Sequence, residues 1–187
     1  MGHNLNGDCR MTSIIKVDQI QNAAGTAGLT IDSNGVVNLP NTIAFLAYVS
    51  STATQGAGSW SHDVPFDAVE FNVGGCYSTS TYRFTPTTSG HYQLNASINT
   101  DMTSGSSGRF FGRWYKNGSA YSHFGHMLAY SSDRAIIGGA TVMHFNGSTD
   151  YVEVRVNTDG GTTLGINGGT PTSSAGMPTH FSGHLIG

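Results

Sequence analysis

The 187 residues carry a formal net charge of −3, with only 10% charged side chains and polarity supplied largely by Ser, Thr, Asn and 26 glycines. Eight Lys and Arg, scattered along the chain, exclude a nucleic-acid surface, which needs clustered cations to release counterions from phosphate. No run of residues approaches the ~20 apolar positions of a membrane-spanning helix, and Cys9 and Cys76 are too far apart for a zinc knuckle or a disulfide framework.

The opening residues, MGHNLNGDCR, have neither a basic nor an apolar stretch of secretory type, so no signal peptide is expected. Residues 1–10 read as a leader or tag remnant, with Met11 an alternative start. Residues 11–42 read as an arm. Ile14, Ile15, Val17 and Ile20 precede a turn-rich Asn22–Gly28; Leu29–Ile31 and Val36–Leu39 flank the turn signal Asp32–Gly35. Such short β pieces have no core of their own and must pack on something. An arm strapped over its own domain and an arm attached to neighbouring chains both remain open.

From residue 43 to 187 the pattern is β throughout. Strands are expected over 44–50, 68–73, 77–85, 91–99, 109–116, 120–130, 135–145, 151–156 and 181–186, separated by Gly, Ser, Asn or Pro. In 92–98 the apolar side chains share one face and Gln93, Asn95 and Ser97 the other. Residues 151–156 put three valines opposite Tyr151, Glu153 and Arg155. Asn117-Gly118 and Asn146-Gly147 are hairpin signals. No amphipathic helix of three turns is present, so the class is all-β.

The spacing Phe66, five residues, Asn72, four, Tyr77, six, Phe84, five, Gly90, one, Tyr92 resembles the signature of the complement-type globular head. That family shares a trimeric jelly roll with tumour necrosis factor relatives. Phe181-Ser-Gly resembles its closing strand, and Asp150-Tyr-Val-Glu-Val154 a Gly-Asp-x-Val strand. Leu94 and Ala96 depart from the usual aromatics. The resemblance implies a ten-strand-type jelly-roll sandwich acting as a homotrimer. The aromatics Phe66, Tyr77, Phe84, Tyr92, Phe110, Phe111, Trp114, Tyr115 and Phe181 are candidates for its core or subunit interface. Four of them crowd residues 110–115 and populate both faces of one strand, so the outward face is expected to meet another subunit unless a loop covers it. The arm 13–22 with 29–35 is similar to openings of tailed-bacteriophage structural proteins, which implies a virion fibre, spike or capsid decoration.

Catalytic and metal signals are weak. His123 and His126 are three apart, which on a regular strand sends them to opposite faces. His180 and His184 can share a face; His62 and His144 stand alone. Asp101, Asp133, Asp150 and Asp159 sit at strand ends without the dense acidic loop that calcium prefers, so no cofactor is expected and calcium is unsupported. Of 11 acids only Glu70 and Glu153 are glutamates, both in strands and read as outward-facing, so the paired carboxylates of a glycosidase are not expected. Loops 50–61, 103–108 and 159–176 could carry recognition, with Trp60 and Tyr130 as sugar platforms. The expected function is a non-enzymatic virion protein, released to the exterior by host lysis, whose partners are its own copies, other virion proteins and a host-surface glycan or receptor. The alternative is a non-viral ligand-binding module; a polysaccharide-degrading spike is a third reading. Neither nucleic acid nor membrane insertion enters any of them.

Overall fold

Period-two alternation of apolar and polar residues forces extended backbone with one face inward. The computed structural model of the protein, which describes residues 15–55, 58, 60, 63–102, 108–130, 134–159, 163–170 and 179–187, is accordingly built from strands, with no helix among the described residues. The chain divides into two compact units, Met1–Asn41 and Thr42–Gly187.

The first unit is an antiparallel meander of β1 (Gln19–Gln21), β2 (Ala27–Ile31) and β3 (Val37–Asn38). Its turns are made by side chains that accept backbone N–H groups. Asn22 Oδ1 takes those of Ala24 and Thr26, and Asp32 Oδ1 those of Asn34 and Val36. None of residues 15–41 is buried, as expected for three short strands with too few side chains to make a core.

The second unit holds β4 (Ala44–Tyr48), β5 (Ala53–Gln55), β6 (Ala68–Val73), β7 (Tyr77–Ser78), β8 (Arg83–Phe84), β9 (Gly90–Met102), β10 (Gly108–Lys116), β11 (Ser119–Ala129), β12 (Arg134–Phe145), β13 (Val152–Thr158), β14 (Leu164–Ile166) and β15 (His180–Leu185). A five-stranded sheet runs β11-β10-β13-β8-β7. In the seven-stranded sheet, the long β9 pairs with β12 on one side. Its other side is shared end to end by β15 and β14, which pair onward with β4 and β5. β6 lies beyond β4. The strands expected over 68–73, 109–116 and 135–145 form with shifts of at most one residue. Two strands were not expected. β5 and β14 lie in segments read as loops, because three residues are too few to show alternation, although Leu164, Gly165 and Ile166 are all buried. Residues 77–85 split into β7 and β8 around a turn in which Tyr82 is left-handed, φ 57°.

The two sheets meet through aromatic rings. Phe45 stacks on Phe84 at 4.5 Å and Tyr77 at 5.0 Å, and meets Phe181 edge-on at 4.8 Å. Trp114 touches Phe181 and Phe124, while Phe84, Tyr92 and Phe145 form an edge-to-face triangle. Buried hydroxyls keep partners: Tyr77 donates to the Phe66 carbonyl and Tyr92 to that of Thr88. Burial pushes both phenols above their ordinary pKa. Cys76 is a buried free thiol; Cys9 lies outside the described residues. At one corner β11 passes close over β12. A Cβ at either Gly112 or Gly139 would overlap Phe124, so these two glycines make the seat for that ring.

Candidate functional site

With the core filled by rings from both sheets, the two outward faces carry different chemistry. The outer face of the five-stranded sheet is an ordered array of cations and aromatics. On β13, Val152, Val154 and Val156 point inward, which sends Glu153, Arg155 and Asn157 outward. They stand opposite Tyr115, Arg113 and Phe111 of β10. Glu153 accepts from Arg83 at 2.8 Å on one side and pairs with Arg155 on the other. Arg155 also holds Asp63 at 2.8 Å and donates to the Trp60 carbonyl at 3.1 Å, which pins Trp60 against the sheet.

Three guanidinium groups lie on rings: Arg83 over Tyr151 at 4.1 Å, Arg113 over Trp60 at 4.1 Å, and Arg155 over Tyr115 at 4.2 Å. Burial raises the Asp63 pKa, with Glu153 adding to the rise and Arg155 opposing it. The array ends at β11. There Arg113 Nη2 bonds His123 Nε2, and His126 stacks flat on Phe111 at 4.8 Å. Burial and then the neighbouring Arg113 lower the His123 pKa, which favours the neutral ring as acceptor.

The outer face of the seven-stranded sheet has no such array. Ile136 and Val142 of β12 stand exposed, as do Phe71 and Val73 of β6, which lie opposite Leu46 and Ala44. Between these apolar flanks run the polar side chains of β9, with His91 against His144 at 5.1 Å. His184 lies opposite Gln93 and His180 opposite Ser97. Among the described residues no three His, Cys, Asp or Glu side chains are grouped so as to hold a metal ion.

Most of the aromatics read as core or interface belong to the core. Phe66, Tyr77, Phe84, Tyr92, Phe110, Trp114 and Phe181 are buried between the sheets. Phe111 and Tyr115 do face outward, where Trp60 packs near both rings and Arg155 lies over Tyr115. Two further expectations need correction. Glu153 is 0% exposed, since Arg83 and Arg155 close over it. His123 and His126 share one face, because a bulge at Gly125 (φ 77°) lets Phe111 pair with His126 and Gly112 with Phe124. Trp60 is a half-buried member of the array.

Tyr130 is exposed at the end of β11, apart from any ring contact among the described residues. Ile15, Val17 and Ile20 are exposed in the arm. Ile14, His62, Asp133 and most of the loop 103–108 lie outside the described residues, as do parts of loops 50–61 and 159–176.

The family model described as "C1q domain" matches residues 44–186. Among solved structures, the globular domain of zebrafish complement 1qA protein superposes with a TM-score of 0.53 at 16% identity, covering 78% of this chain and 98% of that one. The Eiger TNF of S. frugiperda gives 0.52 at 10% identity, covering 79% and 94%. These likenesses show a shared jelly-roll fold. No curated protein matches the chain.

The array yields a stability test. Replacing Glu153 by Gln leaves Arg83 and Arg155 without their shared buried acid, a change expected to cost about 3 kcal/mol. Urea unfolding of Glu153→Gln should show that loss, while Glu70→Gln, an exposed strand acid, should unfold like the parent.

Proposed function

Because the chain belongs to the C1q-domain family, matched across residues 44–186, we propose that it is a non-enzymatic ligand-binding module whose head assembles as a homotrimer. One observation carries the assembly reading. The outer face of the seven-stranded sheet leaves Ile136 53%, Val142 45% and Phe71 44% exposed as two apolar flanks either side of a polar strip, and exposed apolar surface rimmed by polar residues marks a protein interface. The opposite face of the sandwich is already covered by its own side chains. Copies therefore meet through β12, β9, β15, β4 and β6, and the outer face of the five-stranded sheet stays available to a ligand.

The finer reading, a tailed-phage virion protein held by its arm, is supported by the arm alone. A sheet in residues 15–41 with no buried residue, and with Ile15, Val17 and Ile20 bare, suits a segment that another chain covers. On this reading the protein is found in purified particles; its absence from them would leave the non-viral module as the account.

The assembly is tested by light scattering in dilute solution. The parent should have three times the 19.6 kDa mass of one chain. Leu46→Asp with Val142→Asp, which places charge on the apolar face, should reduce it to one. A monomeric parent would sink the trimer.

A further inference from the structure

The charges on the five-stranded face do not balance. Arg83 and Arg155 are matched by Glu153 and Asp63, whereas Arg113 has no acidic partner among the described residues. It sits directly opposite Arg155, an arrangement of like charges that is unfavourable across a strand pair. What holds it there is the Trp60 ring and the neutral acceptor His123. Two buried polar atoms here, Nε of Arg113 itself and Oδ1 of Asn157, have no hydrogen-bond partner, so the packing that holds Arg113 carries a cost. The Gly125 bulge adds His126 to the same face, where a regular strand would have turned it away. A surplus guanidinium, two imidazoles, and the half-buried rings of Phe111 and Trp60 thus converge on one patch of a chain whose net charge is negative.

We propose that this patch, centred on Arg113 with His123, His126, Phe111 and Trp60, binds an acidic saccharide through a carboxylate or sulfate group. The guanidinium fork matches a planar or tetrahedral oxyanion with two parallel hydrogen bonds. The flanking rings offer flat apolar surface to the C–H face of a sugar. An extended peptide is a poorer fit: Arg113 and Phe111 stand on β10, which is paired on both sides, by β11 and β13, so strand addition could reach only the far side of β11 and not the centre of the patch. The patch requires no residue of the apolar face assigned to assembly. It deepens the ligand-binding reading and rests on that reading alone.

The test is calorimetric titration of the full chain with an oligogalacturonate tetramer, a sulfated chondroitin tetrasaccharide, neutral maltotetraose and a glutamate tetrapeptide. One or both acidic sugars should bind, and which one does identifies the anion; maltotetraose and the peptide should not. Arg113→Gln should weaken binding about tenfold or more, the scale of a lost charge-assisted pair. Arg113→Lys should give an intermediate loss, and the exposed His126→Gln, which leaves the core untouched, a smaller one. The same samples are weighed by light scattering and melted. Failure of both acidic sugars, unchanged affinity in Arg113→Gln, or equal affinity for the peptide would overturn the proposal. Those results with the trimer mass intact would leave the assembly reading standing, whereas sugar binding by a monomeric parent would remove the trimer and keep the site.

Discussion

Phe45 on β4 stacks on Phe84 and Tyr77 of the opposite sheet and meets Phe181 of its own edge-on. Through these rings the two sheets hold one spacing and one registration. Trp114, Phe124, Tyr92 and Phe145 extend the layer. Removal of a ring of this size from a close-packed interior costs about 3–5 kcal/mol, a large fraction of a typical domain's net stability. Because alternate residues of the long strands β9, β10, β12 and β13 are committed inward, the composition of both outer faces follows from what is left over on the same strands.

What is left over differs sharply between the sheets. On β10 and β13 the outward residues are Phe111, Arg113, Tyr115, Glu153, Arg155 and Asn157, large side chains that lie on one another. Stacked guanidinium groups keep their hydrogen-bonding edges while burying apolar ring surface, so this face is organised without another protein. On β12 and β6 the outward residues include Ile136, Val142, Phe71 and Val73, which can satisfy themselves only against another apolar surface. The proposed division of labour between an assembling face and a recognising face thus rests on side-chain chemistry on strands of one fold. The arm is a small sheet with turns built by Asn22 and Asp32 and no buried residue among 15–41.

Much of the fold was legible because its signals are local. Alternation in 92–98 and 151–156, Asn-Gly pairs at turns, and the Phe66-to-Tyr92 spacing all lie within short windows. The site was less legible because its geometry depends on distant partners. Glu153 reads as an exposed strand acid until Arg83, seventy residues away, is brought beside it. Asp63 lies 92 residues from Arg155. His123 and His126 fail the i, i+3 rule because one inserted residue at a bulge reverses the parity of the strand; Gly125, the residue type most tolerant of positive φ, was the available clue. Trp60 was recognised as a recognition candidate, but its place over Arg113 depends on a carbonyl contact that no sequence pattern records.

The central claim is that the two outer faces do different work, one closed by other copies and one left open. Hydroxyl-radical footprinting of the full chain, compared with Leu46→Asp/Val142→Asp, tests it most directly. The account predicts that Phe71, Val73 and Ile136 are protected in the parent and become reactive in the variant, while Trp60, Phe111 and Tyr115 react alike in both. Equal reactivity of Phe71 and Ile136 in the two proteins, or protection confined to Trp60 and Phe111, would contradict it.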